Sequence, residues 1–537
     1  MSIVNAATAP LLTRSRQEAG PAKERPSIDD VIEAYMGATG VLQLLKAVFV
    51  AFAWALDAQQ VFISAFTDAE PRWHCLTTAS GCSPAAAAVA SPCALPPGSW
   101  AWDRPAAASV VSEWALGCAG PALASLPASS FFAGCLAGGF LLATLADSLL
   151  GRKGMLVVSL ASMSAVGALT ALAPNVWAYV ALRFVSGFFR SMVGTCALVL
   201  STEIVGKSRR GTVSVACFLC FAVGFLSLPV IAYALRDASW RNMYLWTSLP
   251  CLCYSVLVCF LVQESPRWLL VRGRKQDAVE ALRHLNGGRT TAASFSMSML
   301  DACDAGTSGG GSVFAALWAV WERPWALRRL AAIMAASFGV GMLYFGMPLN
   351  VGSLGSDLYL SVTYNALAEL PSTALAWVLI GRADRRGSVA ALAAAAGACS
   401  LACAAIPGGA VALAAARMAA EVLSFFASCA ALDVVLVYAT ELFPTSVRNS
   451  AVGLVRQAVV LGGASAPVLI ALGRQRGSFW SFGVFGIAIG CSGLFVACLP
   501  ETRGKSVSDT MDEEEERNHA AAVVSCTGTS NSDRGIV

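Results

Sequence analysis

Long apolar stretches alternate with short polar segments along this chain, and the alternation repeats twelve times. Met155–Ala173 and Ser481–Leu499 each run 19 residues without a charge. A helix of about 20 residues crosses roughly 30 Å of hydrocarbon. Apolar positions inside the runs are continuous rather than alternating, which selects helices over a closed barrel. The pattern predicts an all-α polytopic membrane protein with twelve transmembrane helices. They fall at 42–64, 127–149, 155–173, 177–200, 212–233, 243–263, 328–349, 358–380, 388–406, 411–439, 450–472 and 479–499. Two six-helix halves, 41–263 and 327–502, are thereby expected. The rest divides into an N-terminal tail at 1–40, an outer loop at 65–126, a middle loop at 264–326 and a disordered acidic tail at 503–537.

The polar segments repeat as well. The first copy holds Asp147 with Gly151-Arg152-Lys153, then Glu203 with Arg209-Arg210, then Glu264-Ser265-Pro266-Arg267. The second holds Asp384-Arg385-Arg386-Gly387, then Glu441 with Arg448, then Glu501-Thr502-Arg503. Asp147 to Asp384, Glu203 to Glu441 and Glu264 to Glu501 are 237, 238 and 237 residues apart. Three clusters in register over half a chain indicate a duplicated bundle, a plan used by transporters that bind substrate where the halves meet. Ion pairs among these residues, breaking and reforming as the halves rock, would set the balance of inward-open and outward-open states. The plainer reading is static anchoring of charge at the lipid surface.

Positive charge is placed unevenly, and this sets the orientation. Arg14, Arg16, Lys23 and Arg25 precede the first span, and every repeated cluster falls on that same side. The opposite side is sparse, so both termini are expected in the cytoplasm. The net charge of +4 adds nothing about partners. The N-terminus lacks the apolar core of a cleavable signal. Residues 290–312 read as a flexible part of the middle loop, and the acidic run Asp512–Glu516 as a solvated tail.

Only 13% of residues are charged and 56% are hydrophobic, which sets the chain apart from soluble domains. Three histidines exclude a histidine-rich metal site, and no Asn-x-Ser/Thr sequon occurs. Cys75, Cys82, Cys93 and Cys118 share the outer loop, where two disulfides are expected, with three pairings open. Cys217 and Cys220 form a C-x-x-C inside an apolar run and read as packing residues. A phosphate-binding G-x4-G-K-[ST] loop is absent and no catalytic constellation is visible, so neither a pump nor an enzyme is expected. No cofactor, nucleic acid or obligate protein partner is implied.

Charges inside the spans each need a reason, since one at the bilayer centre costs about 2.5–3.5 kcal/mol on insertion scales. Asp57 lies in span 1, Glu369 in span 8 beside Pro371, and Asp433 in span 10. Arg183 and Arg190 lie in span 4, Arg417 and Glu421 near the outer end of span 10, and Arg456 in span 11. Arg417 and Glu421, four apart, are expected to neutralise each other. Asp57 is a substrate-binding candidate, and Arg190 is equally suited to neutralise it, which would leave neither to meet substrate. Glu369 and Asp433 have no arginine nearby on their own helices, so they are candidates to meet a cation. Tyr344, Tyr364 and Trp377 are candidates for cation–π contacts beside them. Arg183 and Asp57 are candidates for proton coupling.

These motifs together resemble the major facilitator superfamily, and within it the plant-type branch of the organic cation/carnitine transporters. The resemblance covers roughly residues 40–505. It rests on Thr67-Asp-Ala-Glu-Pro-Arg-Trp-His-Cys75, Glu113-Trp114 with Cys118, and Leu145-Ala-Asp147. Further along come Ser239-Trp240-Arg241, Glu264-Ser-Pro-Arg-Trp-Leu-Leu270, Glu441-Leu-Phe-Pro-Thr445 with Arg448-Asn449, and Leu499-Pro-Glu-Thr-Arg-Gly504. Each motif alone is weak, since sugar porters share some of them; the ordered set with the cysteine-bearing loop is specific. The resemblance implies alternating access around a central cavity. It also implies a small organic cation or zwitterion of the carnitine, choline or polyamine class as substrate. It matches the family's span 8 and span 10 carboxylates to Glu369 and Asp433, and its cavity tyrosine to Tyr344.

Three departures stand out. Val460 occupies the span 11 position where animal cation carriers place an aspartate, and Arg456, one turn earlier, is a substrate-binding candidate suited to the carboxylate of a zwitterion. Ala143 replaces the usual leading glycine of the first gating motif. Asp147 to Gly151 is one residue longer than common. An organic anion carrier, a proton-coupled sugar porter and a transport-dead receptor are the competing readings. The plasma membrane is the expected location, with the vacuolar membrane as the alternative.

Overall fold

The computed structural model describes residues 40–76, 93, 95, 98–145, 150–206, 209–285, 318–407, 411–504, 508 and 510–517. Ten helices among them are long and apolar enough to cross a membrane. In the first half these are α1 (Val41–Thr67), α2 (Pro121–Leu145), α3 (Gly151–Thr170), α4 (Val176–Glu203), α5 (Arg210–Ala234) and α6 (Trp240–Leu261). The second half has α7 (Pro324–Asn350), α8 (Leu358–Arg382), α9 (Arg385–Ala405), α10 (Val411–Leu442), α11 (Arg448–Arg476) and α12 (Phe482–Leu494). Helix α8, with Glu369 and Asn365 buried in it, and the short α12 fall outside the ten. With those two, each of the twelve expected spans is matched by a helix.

Side chains start these helices where the sequence turns polar. Asn175 accepts from the Ala178 amide at 2.9 Å to begin α4, and Asp357 from the Leu360 amide at 3.0 Å to begin α8. Pro324 stands in the first turn of α7, where a missing N–H costs nothing. Glycines let helices meet backbone to backbone. A Cβ at Gly187 of α4 would lie 1.9 Å from the Phe131 carbonyl of α2, and one at Gly341 of α7 2.1 Å from the Val459 carbonyl of α11. Equivalent pairs pack in both halves: α1 on α5 as α7 on α11, α2 on α4 as α8 on α10, and α3 on α6 as α9 on α12. Between halves, α2 packs on α11 and α5 on α8.

The buried apolar core has an informative shape. Near the outer loop, one cluster joins both halves, from Phe62, Phe131 and Phe225 to Phe345, Phe425 and Phe482. Near the repeated clusters the core splits. Leu56, Leu156 and Leu200 belong to a first-half cluster, while Ile333, Val435 and Val455 belong to a second-half cluster. The halves are therefore sealed together at the loop side and parted at the cluster side.

The outer loop carries a two-stranded antiparallel sheet, β1 (Trp73–Cys75) with β2 (Trp100–Trp102), in which Trp73 faces Trp102. A disulfide joins Cys93 to Cys118, and Cys75 is also disulfide-bonded; Cys82 lies outside the described residues. Glu113 accepts from Trp240 Nε1 and Arg241 Nη1, both at 2.6 Å, which anchors the loop on α6. Burial alone would raise the Glu113 carboxyl, but those two donors outweigh it and hold it below the ordinary range.

One expectation is corrected at the C-terminus. Residues 511–517 are helical and docked rather than a free solvated tail. Arg323 pairs with Asp512 at 2.5 Å and Glu515 at 3.1 Å, and Arg329 with Glu514 at 2.8 Å. Met511 inserts into the second-half core. The basic start of α7 attracts the acidic run, and one apolar side chain fixes its place. In the middle loop, Lys275–Leu285 forms an amphipathic helix whose Leu285 joins the first-half core.

Candidate substrate cavity

Where the core splits, a cavity of about 1030 Å³ opens between the halves. Asp57, Tyr344, Glu369, Asp433 and Arg456 line its depth; Arg152, Glu203, Arg267 and Arg448 line its approach from the cluster side. Aromatic rings close its far end. Phe62 stacks on Phe225 at 4.1 Å between centroids, Phe425 stacks on Tyr344 at 5.7 Å, and Phe62 meets Tyr344 edge-on at 6.1 Å. Beyond that plug, Phe66 stacks on Tyr359, whose hydroxyl accepts from Arg104 Nη1 at 2.7 Å. Arg72 donates to the Gly355 carbonyl at 3.3 Å. Two arginines of the outer loop thus reach across to the second half.

The two walls of the cavity differ in sign. On the first-half side, Arg190 makes a two-pronged ion pair with Asp57, Nε to Oδ1 at 2.8 Å and Nη2 to Oδ2 at 2.7 Å. Asp57 is therefore already neutralised. Arg456 reaches this wall from α11 and donates to Thr195 Oγ1 at 3.0 Å. Among the described residues it has no carboxylate partner within ion-pair distance. On the second-half side, Tyr344 Oη donates to Glu369 Oε1 at 2.9 Å, while Glu369 Oε2 has no hydrogen-bond partner among the described residues. Asp433 faces Thr373 one turn beyond Glu369 on α8. The Glu369 carbonyl also takes the Ser372 and Thr373 hydroxyls at 2.7 and 3.2 Å, beside Pro371.

Three expected site residues lie elsewhere. Tyr364 and Trp377 are 42% and 72% exposed on the outside of the bundle, and neither lines the cavity. A helix turns about 100° and rises about 1.5 Å per residue, so Tyr364 is rotated about 140° from Glu369, while Trp377 lies about 80° round and more than two turns further along α8. Arg183 is buried outside the cavity. It lies 4.1 Å from the Phe131 ring centroid and donates to Ser64 at 2.9 Å. Nearby, Tyr179 bonds both Asp68 and Tyr244, at 2.7 and 2.8 Å. Sequence reading missed that cluster because its members are scattered over four segments. Arg417 and Glu421 do not pair either. Arg417 Nε turns to the Cys403 carbonyl at 3.3 Å, and Glu421 accepts from Asn365 at 2.9 Å.

The repeated clusters fold alike in both halves. The Glu264 carboxylate accepts from the backbone amides of Arg152 and Lys153 at the start of α3, both at 2.9 Å. The Glu501 carboxylate accepts from those of Arg385 and Arg386 at the start of α9, both at 3.0 Å. The next residue in each case, Ser265 or Thr502, donates its hydroxyl to Glu203 or Glu441. Arg385 Nη2 pairs with Glu441 at 3.1 Å, and Arg503 with Asp384 at 3.6 Å. Glu203 lies in the field of Arg152, Arg267 and Arg210. Arg448 donates to the Phe443 carbonyl at 3.5 Å. Asp147 falls outside the described residues. These contacts all stay within one half, as the parted cluster side requires.

Comparison with known proteins agrees with this architecture. Residues 115–512 match the model of the sugar (and other) transporter family. Organic cation/carnitine transporter 2 of Arabidopsis thaliana is 45% identical, over 96% of this chain and 98% of its own. The human protein named organic cation/carnitine transporter 2 is 30% identical over 75% and 71%. This chain belongs to the organic cation/carnitine transporter family. The solved inward-open xylose transporter XylE of E. coli superimposes with a TM-score of 0.59, at 17% identity, covering 86% of this chain and 97% of that one. That likeness gives the major facilitator fold, and the chain is a multi-pass membrane transporter of that class.

Proposed function

We propose that this transporter carries small organic cations or zwitterions of the carnitine, choline or polyamine class by alternating access. The observation that carries the reading is the division of charge across the cavity. Glu369 and Asp433 offer two carboxylates on one wall, and Arg456 offers an unmatched guanidinium on the other. An ammonium group beside Glu369 would meet its unbonded Oε2, with the Tyr344 ring as an apolar cover. The carboxylate of a zwitterion would find Arg456. The relatives are named as carriers of organic cations and carnitine, which supports this class.

In this reading the cluster side is cytoplasmic and the cavity faces inward. The self-contained clusters of each half then exchange partners between halves when the cavity closes on that side. The plasma membrane is the proposed location. Uptake into proteoliposomes decides the substrate class, using carnitine, choline, a polyamine, an organic anion and glucose, with and without a pH gradient. Accumulation of the first three supports the reading. Selective accumulation of the anion would assign the cavity to Arg456 alone and replace it.

A further inference from the structure

Glu421 of α10 is fully buried, lies outside the cavity, and no part of the proposed function uses it. It sits one turn further toward the loop side than Phe425, so the Phe425–Tyr344 stack separates it from the substrate cavity. Its Oε1 accepts from Asn365 Nδ2 of α8 at 2.9 Å. Two polar atoms of this pair remain without a hydrogen-bond partner among the described residues, Glu421 Oε2 and Asn365 Oδ1. Both are acceptors when the carboxyl is ionised. One proton on Oε2 turns it into a donor, and the leftover amide oxygen is its natural acceptor. A carboxylic acid and a primary amide can complement each other in this way through two hydrogen bonds.

The surroundings favour the neutral form. From α8 come the Asn365 amide and, one turn nearer the cavity, Glu369. From α9 the Cys403 thiol lies in the field of both Arg417 and Glu421. On its own helix Arg417 stands one turn away, but its Nε is directed to the Cys403 carbonyl and its guanidinium lies 5.8 Å from the Phe482 ring centroid. A sealed carboxylate held by one neutral donor is costly to keep ionised.

We infer that Glu421 and Asn365 form a proton-binding site that is occupied while the loop side is sealed. One proton from water bonds to Oε2 as the site closes, and the O–H bond breaks to return it to water as the site opens. The sealed state then binds one proton more than the opened state. Raising pH on the loop side therefore favours opening, by up to tenfold in the population ratio per pH unit. This inference rests on alternating access, and not on which substrate is carried.

Infrared spectroscopy of the purified protein tests it directly. Wild type at neutral pH should show a protonated carboxylic acid band that Glu421→Gln removes. Glutamine keeps both hydrogen bonds to Asn365, so this variant should fold and load substrate. Asn365→Ala should shift the same band, because the acid loses its amide partner. Hydrogen exchange over residues 351–365 should rise more steeply with pH in wild type than in Glu421→Gln once intrinsic rates are removed. Absence of a Glu421-dependent band at neutral pH, or an unmoved band in Asn365→Ala, overturns the proposal. The band is read without substrate, so a transporter that ignores every cation leaves it standing while the substrate reading falls.

Discussion

Arg104 of the outer loop donates to the Tyr359 hydroxyl at 2.7 Å, and its guanidinium lies 5.6 Å from the same ring's centroid. A loop held by a disulfide and by Glu113 on α6 is thereby fastened to the first turn of α8 in the other half. Tyr359→Phe keeps the ring stacked on Phe66 and deletes only the hydroxyl. That change, or Arg104→Ala, should favour opening of the loop side by up to about tenfold, the worth of one charged hydrogen bond. Hydrogen exchange over 351–365 reads the opening. The double variant should add little to either single one, since both remove the same bond. Full additivity would mean that the contact does not fasten the halves.

Stability should respond to acid through Glu501. Burial alone would raise this carboxyl, but backbone amides of Arg503, Arg385, Arg386 and Thr502 outweigh it and hold it below the ordinary value. A depressed carboxyl stabilises the fold above its unfolded pKa of about 4.3. That contribution is lost as pH falls through the lower folded value. Glu501→Gln should therefore melt below wild type at neutral pH, and the gap should narrow as the pH drops into the acid range. Thermal melts of the two proteins in detergent across that range provide the check. A gap independent of pH would show that the charge on Glu501 is not what caps α9.

The spans and the paired clusters were legible because both are one-dimensional signals. Apolar run length gives a crossing, and equal offsets such as Glu264 to Glu501 give a duplication. Which face of a helix looks inward was not legible. In a bilayer both the core and the lipid face are apolar, so hydropathy does not distinguish Tyr344, which is buried at the cavity, from Trp377, which points outward. Partner choice was equally hidden. Glu421 and Arg417 have ideal spacing on one helix, yet neighbouring helices supply Asn365 and the Cys403 carbonyl at closer reach. The acidic run Asp512–Glu516 looked solvated because its basic partners Arg323 and Arg329 lie far back in the chain.

The clusters should govern turnover more than affinity. Asp384 and Arg503 stand 3.6 Å apart in the parted state, and Arg385 holds Glu441. If the clusters gate, Asp384→Asn removes a partner for closure without touching the cavity wall, and Asp147→Asn is its counterpart in the first half by sequence. Maximal transport rate should fall several-fold while substrate binding to the purified protein stays within about twofold. A conformational balance moved by 1.4 kcal/mol changes a population ratio tenfold. Wild-type rates in both variants would leave the clusters as static anchors.

The sharpest test separates the two walls of the cavity. Glu369 and Asp433 both line the cavity from the second half, and Glu369 Oε2 is unbonded. Glu369→Gln and Asp433→Asn should each weaken uptake of ammonium substrates about tenfold or more, near 1.4 kcal/mol, as expected for one charged contact in a partly wet site. Arg456→Ala acts on the other wall, where the guanidinium now rests against the Thr195 hydroxyl. Carnitine carries a carboxylate for that guanidinium and choline does not. The Arg456 variant should therefore lose carnitine uptake while sparing choline, and the two acid variants should lose both. Equal losses of carnitine and choline in Arg456→Ala would remove the arginine from the substrate site and leave a cavity selective for positive charge alone.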